Sequence, residues 1–156
     1  MRLLKANKRM LDRYGPELNV LKAPLPKSLC AILDAGVVLQ DDCVFLRAFR
    51  PQGKGAKLAD FPDRTGYEDC INHIHVDDYA KKNWVLIAAS FLARLSPLLS
   101  ENFPGRHFRG TISTDEGTIT DFPSCKVTFF CEREGEEMLE DDLEEYKMEA
   151  VCVFAL

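Results

Sequence analysis

Two groups of side chains in this sequence could do chemistry, and the more concentrated is His73-Ile74-His75-Val76-Asp77-Asp78. If residues 70–76 form a strand, alternate positions share a face, and His73, His75 and Asp77 come together. Imidazole and carboxylate are natural ligands of zinc and iron, so the trio predicts a mononuclear site and, with it, a small metal-dependent hydrolase. A second account needs no metal. Asp77 and Asp78 can accept from the first amides of a following helix, while His73 and His75 are exposed strand residues. That second account is adopted here: no cofactor is expected, and the hydrolase is kept as the alternative.

The spacings also exclude. The histidine cluster resembles the H-x-H-x-D-H signature of the metallo-β-lactamase superfamily, but Asp78 stands where that signature has its last histidine, and only His107 is left to complete a site. Amidohydrolases with a comparable H-x-H strand need a full barrel, which takes about 250 residues against the 156 present. No serine lies in a G-x-S-x-G elbow, and the Gly53-Lys54-Gly55 stretch lacks the G-x-x-x-x-G-K-[ST] spacing of a phosphate loop. Cysteines 30, 43, 70, 125, 131 and 152 include no C-x-x-C pair. Cys125 and Cys131 share strand parity with Val127 and Phe129, and Cys152 sits in an apolar tail, so the thiols read as small reduced hydrophobes of a core. Cys70 and His73, three apart in a strand, would face opposite sides and form no nucleophile–base pair.

The second group is acidic. The chain carries 20 Lys and Arg against 25 Asp and Glu, a net charge of −5, which disfavours nucleic-acid binding because phosphate contacts need an excess of positive charge. Residues 132–149 alone hold ten acids against Arg133 and Lys147, a local net charge of −8. Residues 1–27 hold seven bases against Asp12 and Glu17, so the two ends predict a surface of opposite poles. Glu136, Glu137, Glu140, Asp141, Asp142, Glu144 and Glu145 would steer a basic protein partner toward the acidic pole. Tyr146, Met138 and Trp84 would supply an apolar anchor.

The elements that must position these groups follow from periodicity. Leu3, Leu4, Met10, Leu11 and Tyr14 predict a short amphipathic helix that ends at Gly15-Pro16. Residues 29–39 and 43–49 are rich in Val, Ile, Leu and Phe and predict a hairpin about Gln40-Asp41-Asp42. Residues 51–66, with three glycines and two prolines, predict an irregular surface loop. A helix over residues 79–96 is apolar on more than one face, as a core helix is, and Pro97 ends or kinks it. Phe108, Gly110, Ile112 and Thr114 mark one strand and Val127, Phe129 and Cys131 the next. Residues 136–145 predict a short acidic helix, its Met138, Leu139 and Leu143 on one side. Residues 146–156 predict a closing strand apolar on both faces, hence interior to the sheet.

The whole chain, residues 1–156, therefore predicts a single α+β domain: a largely antiparallel sheet packed against a central buried helix. The charged start carries no secretory pattern, and the most apolar stretch, residues 84–99, includes Arg94 and Pro97 and falls short of the roughly 20 apolar residues that span a bilayer. A cytoplasmic, non-membrane protein is expected. The C-terminal third, with Cys125-Lys126-Val127-Thr128-Phe129-Phe130, the acidic turn Arg133-Glu134-Gly135-Glu136-Glu137-Met138-Leu139 and Asp142-Leu143-Glu144-Glu145-Tyr146 before an apolar strand, resembles the immunity proteins that protect bacteria from polymorphic and contact-dependent-inhibition toxins. The resemblance implies a non-enzymatic domain that neutralises one cognate toxin by occluding its active site, using acidic side chains where the toxin is a basic nuclease.

Overall fold

The apolar alternation of the last third produces the sheet it predicts. In a computed structural model of the protein, which describes residues 1–19, 22–50, 55–117, 122–136 and 139–156, strands β1 (Arg2–Ala6), β4 (Ile74–His75), β5 (Phe108–Glu116), β6 (Pro123–Cys131) and β7 (Ala150–Ala155) form one sheet. Its order is β1-β7-β5-β6-β4, with every neighbouring pair antiparallel. β7 lies between β1 and β5, the interior place its two apolar faces require.

One face of the sheet is the core. Phe108 and Ile112 on β5, Cys125, Val127, Phe129 and Cys131 on β6, and Cys152 and Phe154 on β7 pack against helix α4 (Trp84–Asn102). Gly110 lets the helix come this close: a Cβ there would meet the two Leu92 methyls at 2.9 and 3.0 Å. With 19 residues α4 is long and apolar enough to cross a membrane by composition alone, but Val85, Ala88, Ala89, Phe91, Leu92, Leu95 and Leu99 are buried within the fold. It is the α+β core helix.

A second, two-stranded sheet pairs β2 (Val37–Gln40) with β3 (Cys43–Leu46). A hairpin is present about the predicted turn but is shorter than expected, since residues 47–49 form a 3-10 turn; Asp41 and Asp42 are both at positive φ (53° and 63°), the conformation that a two-residue turn matching the strand twist requires. Helix α3 (Arg64–Ile71) joins this hairpin to the large sheet. Glu68 accepts from the amides of Val44 on β3 and Cys131 on β6, both at 2.6 Å. Asn72 accepts from Leu46 N at 3.0 Å and donates to Val44 O at 2.9 Å and Phe129 O at 3.2 Å. Two side chains thus do what a missing strand would do for both edges.

Several local expectations are corrected. Residues 2–6 are strand β1, and the first helix, α1, is only Lys8–Tyr14, because Asn7 turns the chain by capping it, accepting from Met10 N at 2.9 Å. Most of the segment expected as strand 29–39 is helix α2 (Lys27–Asp34), whose Leu29, Ile32 and Leu33 are buried at helical spacing. The loop expected over 51–66 ends at Asp63, which caps α3 by accepting from Gly66 N at 2.7 Å; residues 51–54 lie outside the described residues. The strand expected over 70–76 shrinks to β4, since Cys70 and Ile71 belong to α3. α4 begins at Trp84, not Tyr79, and runs through Pro97 to Asn102.

Candidate functional site

The acidic segment is not a helix where it is described. Residues 143–145 make one 3-10 turn, while Glu137 and Met138 lie outside the described residues. Leu139, Leu143 and Tyr146 pack instead on Leu4, Val151 and Val153, which cover the face of the sheet opposite α4. Asn7 fastens this layer, donating to Glu149 O at 2.8 Å and accepting from Val151 N at 3.1 Å.

Between the acidic segment and the sheet lies an open groove of about 470 Å³. Leu4, Phe130, Leu139, Leu143 and Val153 line its apolar part; Glu132, Glu136, Glu140 and Asp141 supply carboxylates and Lys5 and Arg109 cations. The cations are engaged from within. Arg109 donates to Glu132 at 2.6 Å, and Lys5 donates to Asp141 O at 2.9 Å with its carboxylate at 3.9 Å.

The predicted acidic contacts divide into two sets. Glu140 and Asp141 stand at the groove, with Asp141 fully exposed, and Glu145 is exposed at the end of the turn. Glu136, Asp142, Glu144 and Tyr146 hold the fold, and Glu137 lies outside the described residues. Glu136 accepts from Thr65 N at 2.9 Å and Thr65 Oγ1 at 2.6 Å, at the start of α3. Burial presses its pKa upward, but the Thr65 hydrogen bonds and the Arg133 charge outweigh that and hold it below the usual glutamate value. Asp142 accepts from Glu144 N at 3.0 Å, Glu144 accepts from Lys8 N at 2.7 Å, and the Tyr146 hydroxyl accepts from Glu140 N at 3.3 Å. The ends of opposite charge are therefore not separate poles: β1 and α1 lie under the acidic segment. Trp84 is not an anchor there, since its indole donates to Ala80 O at 2.6 Å at the start of α4.

The groove is held at its back by a buried ion pair that sequence reasoning passed over. Arg133 donates to Glu68 at 2.8 and 3.0 Å, with Glu68 fully buried and the Arg133 side chain 14% exposed. Arg133 also donates to Asp42 O and Cys131 O, so one guanidinium ties the acidic segment to the hairpin turn. Its signal was its isolation among acids; its partner, 65 residues earlier, left none.

The histidine cluster takes a different form from the one predicted. His73 and His75 stack with ring centroids 4.8 Å apart, and Nε2 of His73 is buried without a hydrogen-bond partner. Asp77 caps no helix; it accepts from Cys125 N at 2.8 Å and lies 4.0 Å from His75 Nδ1. Among the described residues no three His, Cys, Asp or Glu side chains are grouped so as to hold a metal ion. Asp69 of α3 lies in the same corner, its carboxyl pushed up to about 6 by burial, against a Thr128 hydrogen bond and the Lys126 charge. All six cysteines are free; Cys43, Cys125, Cys131 and Cys152 are buried, whereas Cys70 is exposed and Cys30 half-buried. Burial pushes the Cys43 thiol up to about 11 and the thiols of Cys125 and Cys152 up as well, which leaves them protonated and unreactive.

The chain belongs to the uncharacterized protein PM0498 family, whose model matches residues 5–155. No curated protein and no solved structure matches it.

Proposed function

We propose that this member of the PM0498 family is a non-enzymatic protein-binding module of the bacterial cytoplasm that neutralises a basic toxin domain by occluding its active site. The observation that carries the reading is the groove itself, where an apolar floor of Leu4, Phe130, Leu143 and Val153 is rimmed by Glu140 and Asp141. Apolar floor with charged rim is the anatomy of a protein interface, in which a few buried contacts anchor and the surrounding charges select and steer. A groove of this size houses only the anchor. A stable complex buries about 1,200–2,000 Å² in all, so the exposed acids around Glu145 would be covered too. The likeness of the C-terminal third to immunity proteins supplies the biological class; the charge distribution supplies the mechanism, attraction of a cationic surface that would otherwise hold nucleic acid.

The test uses the full chain as bait in extracts of its native host. The reading expects a basic protein that arrests growth when expressed alone and is harmless when co-expressed with this chain. Its capture should weaken with added salt and be lost on combining Glu140→Lys with Asp141→Lys. A captured protein that binds both forms equally, with unchanged salt dependence, overturns the acidic mechanism. Turnover of a substrate by the purified chain overturns the non-enzymatic reading.

A further inference from the structure

We propose that the stacked His73–His75 pair is a proton-released latch, which holds β4 against β6 at neutral pH and lets go on acidification. The place is the other edge of the sheet from β1, where β4 pairs with β6 through only Ile74 with Val127 and His75 with Lys126. So short a strand contributes few ladder hydrogen bonds, and what fixes its side chains decides whether it stays.

The chemistry of the latch follows from its neighbours. A neutral imidazole has one donor and one acceptor nitrogen, but an imidazolium has two N–H donors, and each needs an acceptor once buried. His73 Nε2 is buried with none. The charged groups beside His73 are His75 on the same strand and Lys126 on β6, and Asp77, in the turn after β4, lies 4.0 Å from His75 Nδ1. Burial, then His75, then Lys126 hold the His73 pKa below its ordinary 6.5. Asp77 already serves Cys125 N, at 2.8 Å. Protonation of His73 thus places a buried cation beside Lys126 with no acceptor for its second N–H, and relief comes when His73 leaves the stack.

The sign is fixed by linkage. A base whose pKa is lowered in the closed form favours that form above its ordinary value of 6.5, and the advantage is lost as pH falls below it. Uptake of one proton on opening changes the closed-to-open ratio by about tenfold per pH unit. Amide hydrogen exchange in the full-length protein, corrected for the intrinsic pH dependence of exchange, reads this directly. The protected amides among Ile74, His75, Lys126 and Val127 should lose protection as pH falls below 6.5, with a slope of at most one proton, while those of β5 and β7 keep theirs. His73→Phe and His73→Gln, neither of which takes up a proton, should each flatten the profile. A flat profile in the native protein overturns the proposal, as does the same slope in both variants, or loss of β5 and β7 protection in step with β4.

Discussion

At the scale of single residues, the strongest commitments are charges placed where water cannot reach them. Glu68 is fully buried and meets Arg133 in a two-pronged pair while also accepting two backbone amides. Such a pair adds little over an apolar substitute, but removing one partner strands the other. Arg133→Met should therefore cost about 3–5 kcal/mol, measured by urea unfolding. A compensating Glu68→Leu should not restore it, because Val44 N and Cys131 N would lose their acceptor. Asp69 makes the opposite case. Its carboxyl is raised from 3.8 to about 6, so its favourable contribution is full below 3.8 and lost as pH rises through about 6. Asp69→Asn should raise stability at pH 7 by roughly 1–3 kcal/mol and remove that part of the pH dependence, read from unfolding midpoints between pH 4 and 7.

At the scale of elements, what could be read from the sequence is what repeats locally. β5, β6 and β7 alternate apolar with polar or run apolar throughout, and α4 is apolar on more than one side, so they stand where the pattern puts them. α2 reads as strand because its aliphatic residues run on into Val37, Val38 and Leu39 of β2, which masks the i, i+3, i+4 spacing of Leu29, Ile32 and Leu33. α3 was invisible because what holds it, Glu68 and Asn72, bonds to strands as many as 63 residues away. The groove was legible only in part. Its acids are a run in the sequence, but Lys5, Arg109 and Phe130 come from three separate strands. Pro97 shows how an element outlasts a local signal. It lies inside α4 at an exposed position, where its ring removes a hydrogen bond without displacing a buried side chain of the core. Pro97→Ala should restore that bond and stabilise the protein by about 1–3 kcal/mol, seen as a higher thermal midpoint with unchanged fold by circular dichroism.

At the scale of the whole molecule, charge is folded back on itself: the basic N-terminal segment lies beneath the acidic one, and Lys5 and Arg109 occupy carboxylates that a basic partner would use. This gives the proposed interface a property that a simple acidic patch lacks. The internal pairs are exposed, with Arg109 and Glu132 at 30% and 46%, so they hold weakly and are open to displacement. A cationic partner must break them to reach Glu132 and Asp141, and the protein's own cations compete with it. Removing those cations should then strengthen binding, where an indiscriminate disturbance of the groove would weaken it. Lys5→Ala and Arg109→Ala should each raise affinity for the captured basic partner by about two- to fivefold at low salt. Glu140→Lys, which breaks no ion pair among the described residues, should lower it. Titration calorimetry across a salt series separates the cases, since both gains should fade as screening shortens the reach of every charge in the groove.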